Sequence, residues 1–100
     1  VEDVPVGEYR WLTVASPEGV HGVELTLEPL GFPPAQVYQK ALYDAGIPAT
    51  AFITQDIHAE VQRLKALGVQ FRGEPTQQGP VITALFEDTC GNLLQLVQSL

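Results

Sequence analysis

Residues 85–96 read Leu85-Phe86-Glu87-Asp88-Thr89-Cys90-Gly91-Asn92-Leu93-Leu94-Gln95-Leu96. Two apolar runs flank a polar turn, so the stretch predicts a strand over Val81–Glu87, a turn over Asp88–Asn92 and a closing strand over Leu93–Val97. Asp88 is expected to accept main-chain hydrogen bonds in the turn, and Asn92 to do the same or to take a left-handed conformation. Gln95 is the long polar side chain inside the closing strand. A matching segment lies near the other end, Gly22-Val23-Glu24-Leu25-Thr26-Leu27, with Glu24 in that position. Strand side chains alternate between faces. Glu24 and Gln95 are therefore expected to point away from the layer that covers the sheet, toward whatever the concave face holds.

Working outward, Thr50–Thr54 reads as a strand, and Asp56 caps a helix over Ile57–Leu67 with Ile57, Val61, Leu64 and Leu67 as its buried stripe. Glu60 sits near the positive end of that helix dipole, and Gly68 ends it. Val69–Arg72 is expected to be a short extended piece and Gly73–Pro80 a polar loop. Residues 50–97 thus read β-α-β-β-β. Upstream, Tyr9–Ala15 is a strand with Trp11, Thr13 and Ala15 on one side. Ser16-Pro17-Glu18-Gly19 is a turn, and Val23–Leu27 a second strand. Ala35–Ala45 is a helix with Tyr38, Ala41, Leu42 and Ala45 as its apolar stripe. Tyr38 and Tyr43 are expected to anchor that helix to the sheet. Antiparallel strands with helices on one face make an α+β arrangement.

Composition limits the function. With 5 basic and 12 acidic residues the formal charge is −7. No basic stripe exists to neutralise phosphates, so nucleic acid is not an expected ligand. No apolar run is long enough for a transmembrane helix, and no signal-peptide pattern opens the chain, so no membrane contact is expected. Cys90 is the single cysteine, which excludes an internal disulfide and is compatible with the cytoplasm. It is expected to be a small packing thiol rather than a nucleophile. His21 and His58 are expected at the surface.

Three segments carry a resemblance: Gly22-Val23-Glu24-Leu25, Ala49 through Val69, and Leu85 through Leu96. Their order and spacing resemble the vicinal oxygen chelate superfamily, the fold shared by glyoxalase I, bleomycin-resistance proteins and extradiol dioxygenases. The resemblance implies one domain of βαβββ modules with the first module incomplete. Residues 1–30 would be the end of the first module, 31–48 a linker helix region and 49–100 the second module. The family's opening strand, helix and Leu-Gly turn have no counterpart in these residues. That segment is expected outside this chain, or its place is filled by a dimer partner or a strand swap. A homodimer is expected in each case.

In metal-dependent relatives four ligands line the concave face. The resemblance assigns the second to Glu24, the third, usually His, to Thr50, and the fourth, usually Glu, to Gln95. A hydroxyl and an amide are weak neutral donors for a divalent transition ion. No metal and no other cofactor is therefore expected, and Glu24 is the one candidate catalytic group. Its alternative is an ordinary strand carboxylate, solvated or paired with Arg10 or Arg72. Trp11, Thr13, Thr50, Phe52 and Thr54 are expected on the same face, so Trp11, Thr13, Glu24, Thr50, Phe52 and Gln95 form the candidate site. Mixed aromatic and hydroxyl linings bind small, partly apolar molecules. The sequence leaves three functions open: a metal-independent small-molecule-binding protein, favoured here; a metal-dependent lyase, epimerase or dioxygenase; and a non-catalytic structural or regulatory dimer.

Overall fold

Gly7 folds the start of the chain back on itself. In the computed structural model, which describes residues 1–100, β1 (Asp3–Val6) pairs antiparallel with β2 (Tyr9–Val14), and Val6 stands opposite Tyr9 across a two-residue turn. Gly7 has φ +61°, the conformation that a tight hairpin needs at its first turn position and that a side chain disfavours. β1 was not expected from the sequence, because Pro5 interrupts it. Pro is tolerated on an edge strand whose outer side needs no donor, and β1 is such an edge. β3 (Leu25–Leu27) completes a three-stranded sheet in the order β1-β2-β3. It is shorter than the expected Val23–Leu27, so Glu24 lies just ahead of the paired segment.

The chain divides into two compact units, Val1–Pro33 and Pro34–Leu100. Helix α1 (Pro33–Ala45) lies in the second unit but for its first residue. It closes where Gly46 was expected to stop it, with the Ile47 amide donating to the Leu42 carbonyl at 2.9 Å. No residue of α1 is buried. Its inner positions are Ala35, Gln39, Leu42 and Tyr43. The expected stripe is corrected accordingly: Tyr38 is 67% exposed, and of the two tyrosines only Tyr43 anchors the helix.

After α1 the second unit runs β-α-β-β-β, in the expected order but with a different third strand. β4 (Thr50–Ile53), α2 (Ile57–Ala66), β5 (Thr76–Gln78), β6 (Val81–Glu87) and β7 (Leu93–Ser99) follow in order. The sheet runs β4-β7-β6-β5, with β4 parallel to β7 and the other pairs antiparallel. β5 lies within residues expected to be a loop. Its Thr76-Gln77-Gln78 has no apolar pattern and is recruited as an edge strand by the Gly79-Pro80 turn, where Gly79 has φ +61°. The expected strand at Val69–Arg72 is reduced to one bridge between Phe71 and Phe86, whose rings lie 5.3 Å apart.

The core forms where α2 covers one sheet face. Ile57, Val61, Ala84 and Leu96 are buried, and Leu64, Phe71, Ile82 and Phe86 pack around them. Each large aliphatic side chain removed from water in this way contributes about 1.5–3 kcal/mol. Leu67 is 69% exposed and leaves the expected stripe, because the helix ends at Ala66 and the Val69 amide folds back to the Leu64 carbonyl at 3.0 Å. The N-terminus of α2 has two acceptors. Asp56 takes the Ala59 amide at 3.1 Å, as expected, and Gln98 on β7 takes the Ile57 amide at 2.8 Å. No helix is long and apolar enough to cross a membrane.

Candidate functional site

In the first unit, register fixes which side chains share a face. Trp11 stands opposite Val4, Tyr9 opposite Val6, and Thr13 opposite Thr26. Facing partners in an antiparallel pair project to the same side. Trp11 and Thr13 therefore lie together, as expected, with Tyr9 alongside. Trp11 is 47% and Tyr9 42% exposed, so both rings offer a surface. Tyr9 is closely set. A Cβ built on Gly31 would fall 2.0 Å from the Tyr9 hydroxyl, so the phenol lies directly against the Gly31 main chain.

Thr13 is the buried polar residue of this face. Its hydroxyl accepts from the Glu2 amide at 2.8 Å and donates to Glu24 Oε1. The Val1 nitrogen lies 2.6 Å from the same oxygen. The hydrogen bond from Thr13 favours the charged form of the Glu24 carboxyl. Glu24 is thus an ionised, pre-oriented carboxylate. Neither Arg10 nor Arg72 is its partner: Arg10 pairs with Asp3 and Arg72 with Glu87. Glu24 also borders a pocket of about 430 Å³ with Ser16, Pro17, Val20 and His21, which gives His21 a place that its sequence context did not suggest.

In the second unit the register divides the expected set. Thr50 pairs with Leu94 and Phe52 with Leu96, whereas Ala51 pairs with Gln95 and Ile53 with Val97. Leu96 belongs to the core beneath α2. Thr50 and Phe52 are therefore on the α2 side of the sheet, and Gln95 is on the other. The expectation that Thr50, Phe52 and Gln95 share one face is corrected. Thr54 has the parity of Thr50 and Phe52, and its hydroxyl accepts from the Asp56 amide at 3.3 Å. The neighbours of Gln95 on its own face are Leu85 across β6 and Ala51 across β4.

The face that carries Gln95 also carries Thr83 and Glu87 by register. Glu87 is occupied. It accepts from the Tyr43 hydroxyl at 2.6 Å and from Arg72 Nε at 2.7 Å, and Arg72 Nη2 donates to the Tyr43 oxygen at 2.9 Å. The hydrogen bonds of Arg72 to Tyr43 first, and then to Glu87, raise it further above its ordinary value. A small cavity of about 110 Å³ lies between Arg72, Thr76, Gln78 and Thr83.

The donor set does not fit the family's metal. Gln95 has an alanine and a leucine as its direct neighbours, and Thr50 projects from the opposite side. No cluster of three or more His, Cys, Asp or Glu side chains is placed to hold an ion. A transition ion needs several imidazole or carboxylate donors in one polyhedron.

A family model for the Glyoxalase/Bleomycin resistance protein/Dioxygenase superfamily matches residues 1–96. The chain belongs to this superfamily. The uncharacterized protein YurT of Bacillus subtilis (strain 168) is 53% identical over 97 residues, which are 97% of this chain and 76% of YurT. Among solved structures, UcmS2 is similar at 27% identity and a TM-score of 0.72, over 97% of this chain and 76% of its own. TnmS3, an antibiotic binding protein from Streptomyces sp. CB03234, is similar at 27% identity and a TM-score of 0.70, over 100% of this chain and 74% of its own.

Tyr9 was within reach of the sequence, since alternation from Tyr9 to Ala15 already puts it beside Trp11. Val4 and Val6 were not, because their strand was not recognised. Glu87, Arg72 and Tyr43 lie far apart in sequence, and no local pattern joins them.

Proposed function

We propose that this chain binds a small, flat, partly apolar organic molecule without a metal ion, as a cytoplasmic homodimer. The observation that carries this reading is the first unit's sheet face. Half-exposed Trp11 and Tyr9 stand on one strand at alternate positions, beside the ionised Glu24 held by Thr13. Aromatic faces stack conjugated rings at little entropic cost. The carboxylate supplies a directional acceptor for a cationic or hydroxyl group on the ligand. The likeness to TnmS3, described as an antibiotic binding protein, supports a ligand of that general type. Dimerisation is supported by the apolar residues that this sheet exposes on both faces, Leu25 and Leu27 on one and Val4 and Val6 on the other. A sheet of this kind ordinarily buries at least one face. The single unpaired Cys90 is consistent with a reducing compartment.

The test uses the protein's one tryptophan as its own reporter. Titration with planar aromatic antibiotics is expected to quench Trp11 fluorescence saturably, with no change when a chelator is added. Tyr9→Ala is expected to weaken binding about tenfold or more. Binding that requires a stoichiometric metal ion and is lost in Glu24→Gln overturns the metal-free reading.

A further inference from the structure

Helix α1 buries no side chain, yet it is held at defined points. Gln39 and Tyr43, four residues apart, lie on one helical face. Gln39 Nε2 donates to the Cys90 carbonyl at 3.2 Å and to Asn92 Oδ1 at 3.1 Å. The Tyr43 hydroxyl donates to Glu87, and Arg72 closes this group, with its guanidinium carbon 5.2 Å from the Tyr43 ring centre. All the acceptors belong to the end of β6 and the turn at residues 88–92.

The turn is built to present them. Asp88 Oδ1 accepts the amides of Cys90 at 2.7 Å and Asn92 at 3.0 Å, and its Oδ2 accepts Asn92 Nδ2 at 2.7 Å. The last bond fixes the Asn92 amide with its nitrogen toward Asp88, so that its oxygen is left to accept from Gln39. We propose that the turn at Asp88–Asn92 is a docking plate for α1, and that α1 is a polar-latched strap. The strap detaches as a unit, while the sheet and α2 stay folded.

The physical reason lies in what each opening brings into water. Opening the sheet exposes the whole cluster of Ile57, Val61, Ala84 and Leu96, whereas α1 itself carries nothing more deeply set than half-buried Leu42 and Tyr43, and Leu93 is the buried residue on the sheet face that holds Glu87. Water replaces the latch's hydrogen bonds at small net cost, so the strap belongs at the low end of local stability. Asp88 is a positioning residue here. It makes no hydrogen bond to α1 and acts through Asn92.

Amide hydrogen exchange on the whole chain tests this. In the unaltered protein, α1 amides are expected to exchange at least about tenfold faster than those of β6 and β7, with little denaturant dependence. Gln39→Ala is expected to speed α1 exchange a further several-fold, to about tenfold, and to leave β6 and β7 unchanged. Asp88→Ala is expected to act in the same direction without touching the helix, and Val37→Ala on the exposed side, which removes no latch contact and favours the helix, is expected not to speed α1 exchange. If Asp88→Ala also deprotects β6, the comparison rests on Gln39→Ala, which alters only the latch. Equal protection of α1 and β6 in the unaltered protein, or no response of α1 to Gln39→Ala, overturns the proposal.

Discussion

Gln95 stands opposite Ala51 in the parallel pairing of β7 with β4, and Thr50 stands opposite Leu94. This one-residue difference puts Thr50 on the far side of the sheet from Gln95, so the two cannot serve one ion from a single face. Replacing the right pair should build what the chain lacks. Ala51→His combined with Gln95→Glu is expected to raise Zn²⁺ or Ni²⁺ affinity by about tenfold or more. Thr50→His combined with Gln95→Glu is expected to give no such gain. Isothermal titration with each metal distinguishes them, and the reverse order of affinities would refute the register.

The boundary of α2 can be checked by stability. Ile57 has no exposed surface, whereas Leu67 is 69% exposed. Ile57→Ala is expected to cost about 2–5 kcal/mol in denaturant unfolding. Leu67→Ala is expected to stay within about 0.5 kcal/mol. Comparable losses at both positions would restore the longer stripe.

Asp56 and Gln98 share the orphan amides of the same helix, one locally and one from across the sheet. Asp56→Ala and Gln98→Ala are each expected to lower stability by about 1 kcal/mol. If Gln98→Ala is neutral, the Ile57 amide has no need of that acceptor.

Glu24 is expected to titrate lower with the Thr13 hydrogen bond than without it, because the hydroxyl donates to the charged carboxylate. A carboxyl lowered by folding contributes stability that is fully present above its unfolded pKa. That contribution disappears as pH falls through the lower folded value. Thr13→Val removes one donor and is expected to move the Glu24 titration upward, as followed by carboxyl chemical shifts. An unmoved titration would separate Glu24 from Thr13.

Asp88 follows the same sign. Burial alone would raise it, but the bonds from Asn92 and the Cys90 amide together bring it below its ordinary 3.8. The turn's contribution is therefore expected to be intact above pH of about 4 and to fade below it. Asp88→Asn is expected to flatten that part of the acid-unfolding curve.

The local chemistry of the chain was legible where a residue acts on its own neighbours. Asp56 as a cap and Asp88 as the centre of a turn both work over two to four residues, and both appear in the structure. Thr89 and Gly91, rather than Asn92, take the positive φ in that turn. β5 was not legible, since Thr76-Gln77-Gln78 becomes a strand only through pairing with β6. Parity in Thr50-Ala51-Phe52-Ile53 was equally undecided, because apolar residues occupy both alternating sets.

The sequence by itself determined the superfamily, the opening strand and helix and the closing strand pair of the second module, and the grouping of Trp11, Thr13 and Glu24. These follow from alternation, turn residues and caps, which are properties of neighbouring residues. Only the tertiary structure decided that Thr50 and Phe52 face away from Gln95, and that Glu87, Arg72 and Tyr43 form one cluster. Face and partnership depend on register between strands, and register is set by contacts that no local stretch of chain contains.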